Sequence, residues 1–140
     1  MVSASFFTPP KDIEQSIAQI IQNWAGLTSL PSFNEPLIIP DDLSPLPIDI
    51  SSPVFMIFQL KEQGNFTVGL SDDEGNWIKE NAVVCVFSET GEMIAVSVDY
   101  EADRPQIISH FNSDTLYYAV AVSHASHNVD HTFFSIKKGR

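Results

Sequence analysis

The segment 54–136 consists of short apolar runs separated by turn residues, and no helical pattern lies between them. NFTVGLS alternates apolar with polar residues, which puts Phe66, Val68 and Leu70 on one side of a strand. Gly91 in SETGE predicts a hairpin between AVVCVF and MIAVSV. Short strands at this spacing predict an all-β antiparallel β-sandwich of the jelly-roll or immunoglobulin-like type, with about seven or eight strands.

The run LYYAVAVSH predicts which residues of one strand face the core. The larger side chains on one side of this strand are Leu116, Tyr118, Val120 and Val122, and small residues occupy the other side. We expect the larger set to point into the same core as Phe66, Val68 and Leu70, since apolar side chains on one face of a strand are buried together. The face that carries Ala121 should tolerate change better.

A proline-rich arm is predicted between the helix described next and the strands. Six of the nine prolines lie in 28–53, where they exclude the interior of a helix or a sheet. Short edge strands remain compatible with PLIIP and PIDI. The arm has too many apolar residues for a free linker, so we expect it to lie against another surface. The predicted organisation is an N-terminal helix in 1–27, the arm in 28–53 and the sandwich in 54–140.

The helix follows TPP, where Thr8 is a capping residue, and ends near Gly26. Its apolar residues recur at helical spacing and form one stripe. The stripe consists of Ile13, Ile17, Ile20, Ile21 and Trp24. Two interpretations are open: the stripe packs on the core of its own domain, or it binds a partner protein or a second copy of the chain. These five residues are the candidate partner-binding set, because a closed sandwich does not require an added helix.

The charge of the chain restricts its partners. A formal net charge of −11 disfavours nucleic acid and anionic lipid, because both repel an acidic surface. The N-terminal residues lack the pattern of a signal peptide, and no apolar run reaches the roughly 20 residues of a membrane span. We therefore expect a protein of the cytoplasm or of an assembled particle. The lone Cys85 lies in an apolar run and is expected to be buried.

Three of the four histidines lie close together in SHASHNVDH, at His124, His127 and His131. Their imidazoles, with Asp130, are ligands that suit zinc or a similar divalent metal. The spacing is not one that fixes ligand geometry in advance, so a polar turn is the preferred interpretation. The acidic run SDDEGN is likewise interpreted as a turn, with a shared calcium site as the alternative. No cofactor is expected, and a divalent metal at the histidines stays open.

The order of strands resembles a known family. FQLKEQGNFTVGL, AVVCVFSETGEMIAVS, IISHF and TLYYAVAVSHAS…HTFFSIKK follow one another as in the bacterial pre-peptidase C-terminal domain. The resemblance covers residues 54–138 and concerns strands and turns rather than a chemical signature. It implies a jelly-roll-like sandwich that acts as an accessory module. The helix and the arm have no counterpart in the family pattern.

No nucleophile or nucleotide-binding motif occurs in the chain, so we expect a protein that is not an enzyme. The predicted function is a protein–protein interaction or adaptor module that docks on a larger protein through its helix and arm. One alternative is a structural subunit of an assembly such as a virion. A second alternative is a metal-dependent binding protein that uses His124, His127 and His131.

Overall fold

The computed structural model describes residues 11–33, 35–40, 42–97, 104–123 and 132–139. These residues form one helix and nine strands. In chain order the elements are α1 (Lys11–Ala25), β1 (Leu37–Ile38), β2 (Leu46–Ile48), β3 (Val54–Gln59), β4 (Gly64–Ser71), β5 (Ala82–Ser88), β6 (Met93–Val96), β7 (Gln106–Phe111), β8 (Leu116–Ser123) and β9 (Thr132–Lys138). The predicted class is confirmed, because the strands dominate and the helix is short.

The strands are divided between two sheets. The first sheet has the order β1-β3-β8-β5-β6, and the second has the order β2-β9-β4-β7. All pairings are antiparallel except that of β1 with β3. The hairpin predicted around Gly91 joins β5 to β6, and Gly91 itself adopts a φ of 88° that favours glycine. The two sheets pack face to face as a β-sandwich.

The arm contributes one short strand to each sheet. β1 pairs in parallel with β3, where Leu37 lies opposite Met56, while β2 pairs with β9, where Leu46 lies opposite Phe134. Both arm strands are the outermost strands of their sheets, as the prolines require, because proline cannot donate a ladder hydrogen bond. The prediction of one or two short edge strands at PLIIP and PIDI is therefore confirmed, with β2 beginning one residue before PIDI.

The space between the sheets is filled by apolar side chains from both of them. Phe66, Val68 and Leu70 of β4 point into this space, as predicted. The facing residues of the first sheet include Met56, Phe58, Val84, Val86, Tyr117, Ala119 and Ala121. Phe111 contacts the rings of Phe58 and Tyr117 edge-on, with centroids 5.7 and 5.0 Å apart, so aromatic contacts fill one part of this core.

A second apolar core lies on the outer face of the first sheet, under helix α1. It contains Tyr118, Val120 and Val122 together with Ile17 and Ile21. The predicted orientation of β8 is therefore wrong: the larger residues lie under the helix, and Tyr117, Ala119 and Ala121 face the second sheet. The alternation was assigned to the wrong face because the helix buries a surface that an uncovered sandwich would expose to water.

Helix α1 ends at a glycine cap. Gly26 has a φ of 70°, and the amide of Leu27 donates to the carbonyl oxygen of Gln22 at 3.1 Å, which is the long hydrogen bond of a Schellman motif. Within the described parts of the chain, no helix combines the length and the apolar character that crossing a membrane requires.

Candidate functional site

The apolar stripe of α1 lies on the chain's own sheet. Ile17 and Ile21 are fully buried against Phe55, Val83 and other residues of the first sheet. The three remaining members of the predicted partner-binding set, Ile13, Ile20 and Trp24, are partly buried and pack against the same core. This placement agrees with packing on the core of the same domain, and partner binding by the five residues stays a prediction. A partner could reach the buried members only if the helix left the sheet.

The arm, in contrast, carries apolar side chains that are open to solvent. Leu30 is 49% exposed, Leu37 36% and Ile38 37%. Large contiguous apolar patches on the surface of a monomer mark interaction sites, whereas single exposed apolar residues are common. We call Leu30, Phe33, Leu37 and Ile38 the arm surface.

The register of β1 shows how the arm surface is built. Ile38 lies opposite Ile57, whose side chain is in the core under the helix, so Ile38 extends that core to the edge of the sheet. Leu37 lies opposite Met56 and points to the other face. The amide of Ile39 donates to the carbonyl oxygen of Ile57 at 3.0 Å, which holds the strand in place. The two exposed side chains therefore flank the outer edge of β1, with which no further strand pairs among the described residues.

Phe33 connects the arm surface to the body of the domain. Its ring stacks on that of Phe55 in β3, with centroids 5.0 Å apart and an interplanar angle of 16°. Phe33 is only partly buried, so one part of this ring stays available on the surface. The stacking therefore holds this part of the arm against β3.

Charge is almost absent from this part of the chain. Between Glu14 and Asp41 the sequence has one charged residue, Glu35. Depletion of charged residues is the compositional mark of the centre of protein–protein interfaces. The low number of charged residues was the feature of the sequence that could have indicated the arm surface. The interpretation of 28–53 rested on its prolines and did not use this feature. Phe33 was missed for the same reason.

The histidine cluster lies outside the described residues. His124, His127 and His131 all fall in the segment 124–131, so the structure does not test the predicted metal site. Among the described residues, no group of three or more histidine, cysteine or acidic side chains has an arrangement that would hold a metal ion. Cys85 is buried as expected.

The acidic run SDDEGN forms a tight turn that its first aspartate organises. Oδ1 of Asp72 accepts hydrogen bonds from the amides of Glu74 and Asn76, both at 2.9 Å, and Oδ2 accepts from Nδ2 of Asn76 at 3.2 Å. These donors, led by the Asn76 amide, hold the pKa of Asp72 below its usual range. The carboxylate closes the turn on itself, which fits the polar turn rather than the calcium site.

A cleft of about 210 Å³ lies at one end of the sandwich, beside the turn between β3 and β4. Its charged residues are mostly engaged: Nζ of Lys138 contacts Oε2 of Glu62 at 2.7 Å, and Oδ1 of Asp42 accepts from the amide of Ser44 at 3.1 Å. That hydrogen bond lowers the pKa of Asp42, so the carboxyl is ionised and is a poor proton donor near neutral pH. The volume is below the roughly 300–1,000 Å³ of typical small-molecule sites.

Comparison with known proteins gives similarity of fold only. No protein-family model matches the sequence, and no curated protein matches it at a significant level. Among solved structures, the chain is similar to the pre-peptidase C-terminal domain of a collagenase from Bacillus anthracis, with 14% identity, a TM-score of 0.47, and 79% of this chain and 99% of that chain covered.

It is also similar to PliG from Aeromonas hydrophila, a periplasmic inhibitor of g-type lysozyme, with 12% identity, a TM-score of 0.42, and 66% of this chain and 81% of that chain covered. The collagenase domain is of the kind that the strand order of 54–138 resembles. Neither likeness carries an activity over to this chain.

Proposed function

We propose that the chain is a non-enzymatic module that docks on another protein through the arm surface. The observation that carries the proposal is the exposure of Leu30, Leu37 and Ile38 in a segment with a single charge. Only about a third to a half of each side chain remains to be buried, so full enclosure stabilises a complex by roughly 0.5–1.5 kcal/mol each. The arm surface thus supplies apolar anchors for a contact with another protein.

The occupant that fits best is an apolar segment of a different protein. Two copies of this chain each carry a formal charge of −11, and their mutual repulsion opposes association. The four residues of the arm surface are uncharged, so they form no ion pairs that would offset this repulsion. A different protein that carries less negative charge is repelled less strongly. Such a protein is therefore favoured over a second copy of this chain.

The described residues also support a binding role rather than a catalytic one. The cleft beside β3 and β4 is small, and its carboxylates at Asp42 and Glu62 are engaged by Ser44 and Lys138. The acidic turn is closed by its own hydrogen bonds. The proposal therefore places function at a surface and not in a pocket.

The test compares the intact chain with the variant Leu30→Ser/Leu37→Ser/Ile38→Ser in quantitative pull-down from the source cells. A protein recovered with the intact chain is then purified, and its affinity is measured for both forms. We expect the triple variant to keep the fold, since these side chains are exposed, and to bind at least about tenfold more weakly. The control Met93→Ser/Ile94→Ser removes exposed apolar side chains from the opposite edge of the sheet and should retain the partner.

Three results would overturn the proposal. The triple variant could bind the purified partner as tightly as the intact chain. The intact chain could form larger species with increasing concentration, through the same residues, which would favour the structural-subunit alternative. Binding could instead require zinc and be lost on substitution of His124 and His131, which would favour the metal-dependent alternative.

A further inference from the structure

The opposite edge of the first sheet carries a second exposed apolar pair, and its surroundings are charged. Met93 and Ile94 of β6 are 39% and 38% exposed. β6 is the outermost strand of its sheet, and within the described residues no further strand pairs with its outer side. This edge is separated from β1 by the full width of the sheet, so it forms a surface of its own.

A bulge determines how these two residues are presented. The register of β6 against β5 shifts between Val86 and Phe87, so that Ala95 lies opposite Val86 and Met93 opposite Phe87, with Ile94 as the extra residue. A bulge turns a side chain away from the regular alternation and disrupts the strand edge as a template for pairing. The edge is therefore suited to contacts by side chains rather than to the addition of a strand.

Two glutamates lie in the hairpin that leads into this apolar pair. Glu92 precedes Met93, and Glu89 lies on the same hairpin turn. The first turn of α1 packs against this hairpin, because a Cβ atom placed on Gly91 would lie 3.2 Å from Cγ2 of Ile13. Glu14 follows Ile13, so the helix adds a third carboxylate to the same region.

The pKa of Tyr118 supports the placement of Glu89 and Glu14 in one region. Burial, and then the charges of Glu89 and Glu14, raise the pKa of Tyr118 to about 12. Both carboxylates thus act on the same phenol, one from the hairpin and one from the helix. The segment 82–97 contains no lysine or arginine, and α1 contains one, Lys11, as its first residue.

We propose that Met93, Ile94 and the carboxylates of Glu14, Glu89 and Glu92 form a second docking surface, which takes a lysine- or arginine-rich segment of another protein. The apolar pair contacts an apolar residue or an aliphatic stem of that segment, and the carboxylates contact its cationic groups. This surface is independent of the arm surface. A chain that carries both would connect two partners of different chemistry at opposite edges of one sheet.

The probe is a fluorescent twelve-residue peptide of alternating lysine and valine, with alternating glutamate and valine as the charge control. Its binding to the intact chain is measured by anisotropy at low and at physiological salt, and the contact residues are mapped by amide chemical shifts. We expect binding of the lysine peptide only, weakened by salt, with shifts in β6, the hairpin and the first turn of α1.

Matched variants separate a specific site from general attraction to an acidic protein. Glu89→Gln/Glu92→Gln should weaken binding by about three- to tenfold. Asp73→Asn/Glu74→Gln makes the same change of charge at the turn beyond the other end of β5 and should have less than a twofold effect. Met93→Ser/Ile94→Ser should weaken binding by about tenfold, whereas the triple variant of the arm surface should not change it.

The proposal is overturned if the two double charge variants weaken binding equally, if the amide shifts map to another surface, or if the lysine peptide does not bind. None of these results bears on the arm surface, which has its own partner and its own variants.

Discussion

Phe33 of the arm stacks on Phe55 of β3, with the ring planes inclined by 16°. Phe33→Ala should destabilise the chain by about 1–3 kcal/mol, because it removes an aromatic contact and part of the cover of the core under the helix. It should also increase hydrogen exchange at Ile39, whose amide bonds to Ile57. Phe33→Leu keeps apolar volume and should retain most of the stability. Unchanged exchange in the alanine variant would mean that β1 holds the arm without this contact.

Strand β8 is buried on both faces, so charge should be tolerated on neither. Val120 lies under the helix and Ala121 lies between the sheets, and both are fully buried. An unpaired buried carboxylate costs several kcal/mol, against a total stability of about 5–15 kcal/mol. Val120→Asp and Ala121→Asp should therefore both prevent folding, as measured by circular dichroism. A folded Ala121→Asp variant would show that the space between the sheets admits water.

The helix should contribute to the stability of the domain. Ile17→Ala and Ile21→Ala each remove a fully buried side chain, and each should lower the free energy of unfolding by about 2–5 kcal/mol in denaturant titrations. Gln19→Ala, on the exposed side of the same helix, should change it by less than about 0.5 kcal/mol. If the two isoleucine variants match the control, the helix does not pack on the sheet in solution, and the partner-binding interpretation of the stripe gains support.

The phenol of Tyr118 should titrate late in alkali. Its pKa of about 12 lies above the usual value near 10, so the folded state retains the proton more tightly than the unfolded state does. The resulting contribution to stability is present below pH 10 and is lost as the pH rises toward 12. Absorbance at 295 nm should show a late titration step that is missing in Tyr118→Phe. Loss of the Tyr118 proton near pH 10 in the folded protein would contradict the burial of this phenol.

Gly69 lies where β4 closely approaches the chain that enters β7. A Cβ atom at this position would lie 2.5 Å from the carbonyl oxygen of Pro105 and 2.7 Å from Cα of Gln106, so the backbone would have to move. Gly69→Ala should destabilise the fold by about 1–3 kcal/mol, as overpacking does. Asn65→Ala, at an exposed position of the same strand, serves as the control for thermal denaturation. Equal melting temperatures would show that the two segments can separate at low cost.

Local patterns in the sequence predicted much of this fold. The alternation of Phe66, Val68 and Leu70 identified the side of β4 that faces the other sheet, and the prolines identified two edge strands. The orientation of β8 could not be obtained in this way. Tyr118 and Tyr117 are both large and both buried, on opposite faces, so the pattern does not show which face meets the helix and which meets the other sheet.

The candidate site was predicted less well than the fold. The stripe of α1 satisfied the criteria for a binding surface and for a core surface equally, since either requires burial of Ile17 and Ile21. The stretch between Glu14 and Asp41 contains a single charged residue, Glu35, and only the exposure of Leu37 and Ile38 shows that part of it lies on the surface. The metal site at His124, His127 and His131 stays a prediction.

The position of β9 in its sheet has a consequence for synthesis. β9 is the last of the described strands in chain order, yet it lies between β2 and β4 and pairs with both. While the ribosome still holds that segment, β4 lacks one neighbour and β2 has no strand beside it. The inner face of the second sheet, with Phe66 and Leu70, is then incompletely covered, and the nascent chain is exposed to aggregation. Slow elongation before β9 should therefore increase the demand for chaperones, and faster elongation there should relieve it.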